Sequence, residues 1–243
     1  MSRLRKVVLS MSPLSLIGYI WDSHYDRGMT HLANGRYEQA EEEFLTVEPD
    51  NRDHDSCQYA LGMCRLYGLG GLMQSKKDGI ELLEKAARAQ YSPTIRNKAR
   101  YLLGKYYAQV EEEKKQQIFP EDPDSVKDIL EELKAHEKMR NEHKDGDSEI
   151  TKAGLVSGTL AEIYLAGAAI NEYLPAQYEL GIYYHKKKIF ASPQSKEKTK
   201  HWLQEAVRRM TYIWSFKESN CLTPEQLDKA QSIIKGLTKT NFP

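Results

Sequence analysis

The chain has 243 residues, with 35 basic and 35 acidic side chains, a formal net charge of +0 and 40% hydrophobic residues. That balance excludes a disordered tail, which needs a large net charge and few apolar residues, and a protein that coats nucleic acid, which needs a basic excess. A mean hydropathy of -0.67 excludes a membrane-spanning bundle, and three cysteines in so long a chain exclude a disulfide scaffold.

Residues 1–21 come first. Arg3, Arg5 and Lys6 precede an apolar run from Val7 to Trp21, broken by Pro13 and Gly18, and the first acidic residue is Asp22. A basic start followed by an apolar stretch is the pattern of a signal peptide or an organellar presequence. The run is short of the about 20 apolar residues that a transmembrane helix needs, and no small-x-small cleavage site follows it. Two readings stay open. One is a cap over the apolar edge of the first repeat, in a cytoplasmic protein. The other is a targeting or anchoring segment, which would make the chain exported, organellar or membrane-tethered.

From residue 22 a frame recurs. Tyr25-Asp26-Arg27-Gly28, Tyr59-Ala60-Leu61-Gly62, Tyr101-Leu102-Leu103-Gly104 and Tyr178-Glu179-Leu180-Gly181 each place a tyrosine three residues before a glycine. Cys57, Ala99 and Ala176 add a small residue at one offset before three of them. Gly28 and Gly62 are 34 residues apart, whereas the next two spacings, 42 and 77, require extra loop. A second apolar-periodic segment follows the frames: Gly35 to Phe44, then Ile80 to Ala87 after the glycine turn Gly68-Leu69-Gly70-Gly71, then Lys198 to Val207. Glycine inside a helix costs about 1 kcal/mol against alanine. It is tolerated where a second helix crosses closely, and Ala40, Ala86 and Ala206 are expected to fill the matching side of that crossing. Stacked helix pairs then form a solenoid.

These residues carry a resemblance. Residues 57–91 look like a Sel1-like repeat, and Leu174-Pro175-Ala176-Gln177-Tyr178-Glu179-Leu180-Gly181 is similar to the start of another, with Trp202 at the aromatic position of its second helix. Gly28, Gly35, Tyr37, Ala40 and Phe44 resemble the parent tetratricopeptide pattern, whose period is about 34 residues. The tail Leu222-Thr223-Pro224-Glu225-Gln226, running into Ala230, resembles a capping helix. Arg65 departs from the pattern, which has tyrosine there, and Gly70-Gly71 adds one residue to the turn. The resemblance implies an all-α, right-handed α-solenoid over 22–219, closed by a capping helix over 220–243.

The third repeat is split, with a first helix over about 95–115 and a second over about 152–171 carrying Tyr164 and Ala168-Ala169. The insertion between them, 118–150, is charged and predicts one extra helix over about 125–144, capped by Ser125. Its thin apolar stripe (Val126, Ile129, Leu130, Leu133) and its acidic residues (Glu121, Asp122, Asp124, Glu131, Glu132), with Glu111 to Glu113 just before them, predict a solvated projecting hairpin, dispensable for stability; a partner-docking arm is the other reading.

No catalytic, phosphate-loop or dinucleotide motif is present. His54, Cys57 and Cys64 lack a fourth ligand, so no metal, cofactor or small-molecule substrate is expected, and the carboxylates read as helix surface. A scaffold or adaptor that binds a protein or peptide in the concave groove of the solenoid is the expected function, as the resemblance implies. In such pairs the position one turn before the glycine faces the groove. Tyr25, Tyr59, Tyr101 and Tyr178 stand there, with Met63, Lys105, Ile182 and His185 beside them; packing between successive helices is the competing role. Two other classes stay open: an exported or membrane-anchored accessory factor of an envelope or organellar complex, and a nucleic-acid or anionic-surface binder. The latter would use His185 to Lys188, Lys196, Lys198, Lys200, Arg208, Arg209 and Lys217, interleaved with Tyr183, Tyr184, Trp202, Tyr212 and Trp214.

Overall fold

A computed structural model describes residues 23–49, 51, 53–68, 75–90, 92–142, 159–187, 193–213 and 221–239. The N-terminal segment, most of the glycine turn, and residues 143–150 of the insertion with the eight that follow lie outside the described residues. Ten α-helices, one short 3-10 helix and no strand occur among those that are described. The all-α helical-repeat fold is therefore the observed one, and the chain divides into two compact units, Met1–Ile95 and Arg96–Pro243.

The first unit holds α1 (His24–Ala33), α2 (Tyr37–Leu45), α3 (His54–Tyr67) and α4 (Lys76–Ala86). Capping side chains start two of them: Ser23 Oγ accepts from the Asp26 amide at 3.1 Å and Ser75 Oγ from the Asp78 amide at 3.3 Å, each meeting a donor the helix cannot use. Gly35 and Gly68, at φ of 69° and 63°, turn the chain after α1 and α3 in the left-handed region that side chains avoid. The pairs α1–α2 and α3–α4 cross at glycines. A Cβ on Gly28 would lie 2.3 Å from Phe44 Cε1, and one on Gly62 would lie 3.0 Å from Leu83 Cγ. Ala40, Phe44, Val47, Cys57, Ala60 and Leu61 form the core, with Tyr25, Met29, Leu32 and Leu82 partly buried against it.

In the second unit, α8 (Leu174–Lys186) pairs with α9 (Pro193–Ile213), and α10 (Pro224–Lys239) packs on α9. Thr223 and Gln226 exchange bonds at the start of α10: the Gln226 amide reaches Thr223 Oγ1 at 3.2 Å and the Thr223 amide reaches Gln226 Oε1 at 2.9 Å. α5 (Pro93–Lys114) meets α7 (Leu160–Ala169) across the insertion. Tyr107 stacks on Tyr164 at 6.0 Å between ring centres, and a Cβ on Gly104 would lie 2.6 Å from Leu165 Cγ. Ala40, Ala86 and Ala206 are fully buried, but they are not what stands over the glycines. Phe44, Leu83 and Leu203 do, so each crossing is a large side chain seated where a Cβ is missing.

The insertion is not the solvated hairpin that its composition suggests. A 3-10 turn (Pro123–Val126) leads into α6 (Lys127–Glu142), and Val126, Ile129 and Leu133 are 1%, 2% and 3% exposed. The reason lies in α7, where every residue from Leu160 to Ala169 is buried. A helix apolar on all sides must be covered on all sides, and α6 packs against it. Asp122, not Ser125, caps the segment, accepting from the Asp124 amide at 2.9 Å, because Pro123 already occupies the first turn. The two ends meet, with the Leu160 amide donating to the Ile118 carbonyl at 2.8 Å.

A charged latch holds α6. Arg100, 3% exposed, donates to Glu132 Oε2 at 2.5 Å and to the Gly167 carbonyl at 3.1 Å, while Asn171 Nδ2 donates to Glu132 Oε1 at 3.1 Å. Burial pushes the Glu132 carboxyl up, but Arg100, Asn171 and Arg96 outweigh it and hold the group below its ordinary value of 4.5. At Glu43 the hydrogen bond from Arg27 lowers the value, burial opposes it, and His24 adds to the lowering. A carboxylate depressed in the folded state contributes stability above its unfolded pKa and loses it as pH falls through the folded one. The melting temperature is therefore expected to drop as pH goes from about 5 to about 3, and Glu132→Gln should flatten that drop. Identical pH profiles for the two proteins would remove the latch.

Candidate protein-binding face

The face to be tested is that of the first helices of each pair, described separately for the two units. In the first unit, Tyr25 on α1 is half-buried against the core, and burial, then Asp26, pushes its hydroxyl pKa up. Tyr59 and Met63 on α3 are half-buried, while Ala60, Leu61 and Cys64 of the same helix are buried. Tyrosine and methionine side chains left part-exposed beside a packed helix offer contact area at low entropy cost.

The second unit splits the remaining candidates. Tyr101 is half-buried and meets Tyr173 edge-on at 5.5 Å between ring centres, with Lys105 Nζ 5.5 Å from the Tyr101 ring centre. Lys105 is exposed and His185 half-buried. Tyr178 and Ile182, however, are 5% and 7% exposed, inside a cluster with Leu174, Leu203, Ala206, Met210, Leu222 and Ala230. Their assignment to an open groove is corrected: they pack in a core cluster that Leu222 and Ala230, the latter on α10, also join. Next to this cluster, Glu179 is pushed up by burial although Lys105, Lys186 and Lys229 lie within electrostatic range.

One constellation was not read from the sequence at all. Glu111 and Glu162, assigned to solvated surface, are 7% and 0% exposed. Tyr183 donates to Glu111 Oε2 at 2.9 Å and lies 2.8 Å from Thr159 Oγ1. Tyr184 donates to Glu162, with Lys198 Nζ 3.6 Å from the same carboxylate and Lys187 Nζ 3.9 Å from Glu111. Burial raises both tyrosine hydroxyl pKa values and lowers that of Lys187. Each tyrosine stays a proton donor aimed at a buried carboxylate, so the network ties α5, α7, α8 and α9 together and leaves neither carboxylate open to a substrate. The pair Tyr183-Tyr184, followed by lysines at 187 and 198, was its one trace in the sequence.

The same network bears on the basic C-terminal third. Tyr183, Tyr184 and Trp202 are 8%, 4% and 4% exposed, so their rings are closed to a stacking base; the side chain of Tyr212, and Trp214, Lys188 and Lys217, lie outside the described residues. Lys186 pairs with Glu112 at 2.8 Å, Arg208 with Glu205 at 2.7 Å, and Arg209 with Glu172. Much of the basic charge is thus spent internally. Burial, then Asp53, pushes the Cys57 thiol up to about 12 and burial raises that of Cys64, as expected of inert core thiols. Among the described residues no group of three or more histidine, cysteine, aspartate or glutamate side chains could hold a metal ion, and no helix is long and apolar enough to cross a membrane.

Against this geometry, the family model for the Sel1 repeat matches residues 55–91 and 174–209, which hold α3 with α4 and α8 with most of α9. No curated protein and no solved structure matches the chain. Sel1 repeats are commonly protein–protein interaction scaffolds, and the family is generally non-catalytic.

Proposed function

We propose that the chain, two stretches of which match the Sel1 repeat, is a non-catalytic adaptor which holds a peptide or extended protein segment on first-helix faces of its repeats. The observation that supports this most is the half-burial of Tyr59 and Met63 on α3 beside fully packed neighbours. Tyr101 with Lys105 adds an aromatic ring under a cation in the second unit. An aromatic or methionine anchor of this kind is where binding energy concentrates.

The test separates contact from packing. Peptides are selected on the intact chain from a random display library and titrated by calorimetry. Tyr59→Ala or Tyr101→Ala is expected to weaken binding by about 2 kcal/mol, roughly thirtyfold, with little change in melting temperature. Tyr178→Ala is expected to do the reverse, lowering the melting temperature and leaving affinity within about threefold, because its ring lies in the core. Wild-type affinity in the first two variants would reject this face.

A further inference from the structure

The outer side of α2 is an unpartnered helix face. It carries two of the four large hydrophobic side chains exposed among the described residues: Leu45 at 60% and Tyr37 at 38%. Glu38 and Glu42 stand with Leu45 at helical spacing of four and three residues, are exposed, and, like Glu48 just beyond, have no ion pair among the described residues. Residues 37–49 contain five glutamates and no lysine or arginine; Arg36, at the start of the helix, is the nearby cation in sequence. The other two carboxylates are engaged inward, Glu41 with Arg65 at 2.7 Å and Glu43 with Arg27 at 2.9 Å. What the face presents is therefore apolar surface rimmed by unpaired negative charge.

We infer that this face is the docking site of the chain's own residues 1–21. Three observations choose that occupant. The segment has the complementary chemistry: Arg3, Arg5 and Lys6, then an apolar run, and no acidic residue before Asp22. It starts at the right end of the helix, because His24 Nδ1, at the start of α1, lies 2.8 Å from Glu43 Oε2, near the C-terminal end of α2. The chain thus enters α1 beside the end of α2 that carries Leu45, and Tyr19, Ile20 and Trp21 are the residues that come next. It also reaches: α2 is about 13 Å long, a fraction of what 21 residues can span. Laid along α2, the apolar run spans Leu45 to Tyr37, and the basic residues are drawn to Glu38 and Glu42, which stand between those two side chains. Tethering makes the contact intramolecular, so a modest complementarity fills the site.

The intact chain is the test material. Zero-length carbodiimide coupling is expected to join Lys6 to Glu38, Glu42 or Glu48 within one molecule, in a mixture of isotope-labelled and unlabelled protein. Amides of residues 7–21 are expected to exchange about tenfold more slowly than in the triple variant Glu38→Lys, Glu42→Lys, Leu45→Glu. The substituted side chains are exposed, so the variant should melt with the parent. Equal exchange in parent and variant would overturn the inference. So would couplings found only between labelled and unlabelled molecules, which would make the occupant a second copy, or protection that arises only with vesicles containing anionic phospholipid, which would make it a membrane surface.

Discussion

Replacing residues 119–158 by a short glycine-serine linker is expected to destroy the cooperative melting of the second unit. The linker itself would be harmless, since Ile118 and Leu160 already meet through a backbone hydrogen bond. The loss is the cover of α7. Val126, Ile129 and Leu133 are almost fully buried, and each contributes about 1.5–3 kcal/mol through that burial. Together that is on the order of 5–9 kcal/mol, comparable with the 5–15 kcal/mol that separates folded from unfolded protein in typical domains. Removing Glu132 also leaves the Arg100 guanidinium buried without its carboxylate, a further cost of about 3 kcal/mol. Circular dichroism melts and binding of a dye for exposed apolar surface would read the outcome. An unchanged transition without dye binding would make the insertion a solvated arm after all.

Gly79→Ala is expected to be the most damaging single methyl group in the first unit. Its Cβ would lie 2.6 Å from the Leu66 amide nitrogen and 2.9 Å from Leu66 Cα. Backbone cannot rotate aside as a side chain can, so the α3–α4 crossing must widen. At Gly62 the same methyl would meet its neighbours at 3.0 to 3.1 Å, a misfit of tenths of an ångström, and there leucine rather than alanine is needed to force the helices apart. At Gly181 a Cβ would stand 2.6 Å from Leu203 Cδ2, and Gly181→Leu should separate α8 from α9. Overpacking of this kind costs about 1–3 kcal/mol or more, which lowers a melting temperature by about 5–10 °C in a domain of this size. Gly236→Ala is the control. Nothing lies within 4 Å of its added methyl, and the helix propensity of alanine should stabilise α10 by up to about 1 kcal/mol. Calorimetric melts of the four variants should rank them in that order; equal temperatures for Gly79→Ala and the parent would end the close-crossing argument.

The repeat frame was legible because a glycine repeatedly placed three residues after a tyrosine has few causes, and close crossing is one that the coordinates bear out at Gly28, Gly62, Gly104 and Gly181. Gly79 carries no such frame, and Lys77, Asp78 and Glu81 beside it are residue types of a helix surface. The apolar residues of the insertion look too few for a core when only those of α6 and the turn before it are counted. The better sign was on α7: Leu160 to Ala169 contains a single polar residue, Glu162, and no face that could meet water. Tyr178 and Ile182 occupy the same positions as Tyr59 and Met63 in the frame, yet lie in the core, in a cluster that Leu222 and Ala230 join from the chain after α9. Periodicity places a residue on a helix face but does not say which later segment comes to lie over it. Glu111 and Glu162 show the same limit for charge: only the fold brings Tyr183 and Tyr184, 72 and 22 residues away, to meet them.

The interruption between α5 and α7 also sets an order in time. Within the first helix pair, Arg27 and Glu43 meet across 16 residues, whereas Arg100 reaches the Gly167 carbonyl across 67. Two doublings of loop length add about 1.2 kcal/mol of closure entropy, due before any of the contacts that repay it have formed. The local hairpins can therefore assemble in the microsecond to millisecond range of low-contact-order helical proteins, while the split pair waits for α6 and α7 to find each other and return together to α5. Until they do, the apolar surface that α7 buries in the folded protein is expected to be the chain's site of greatest exposure to self-association.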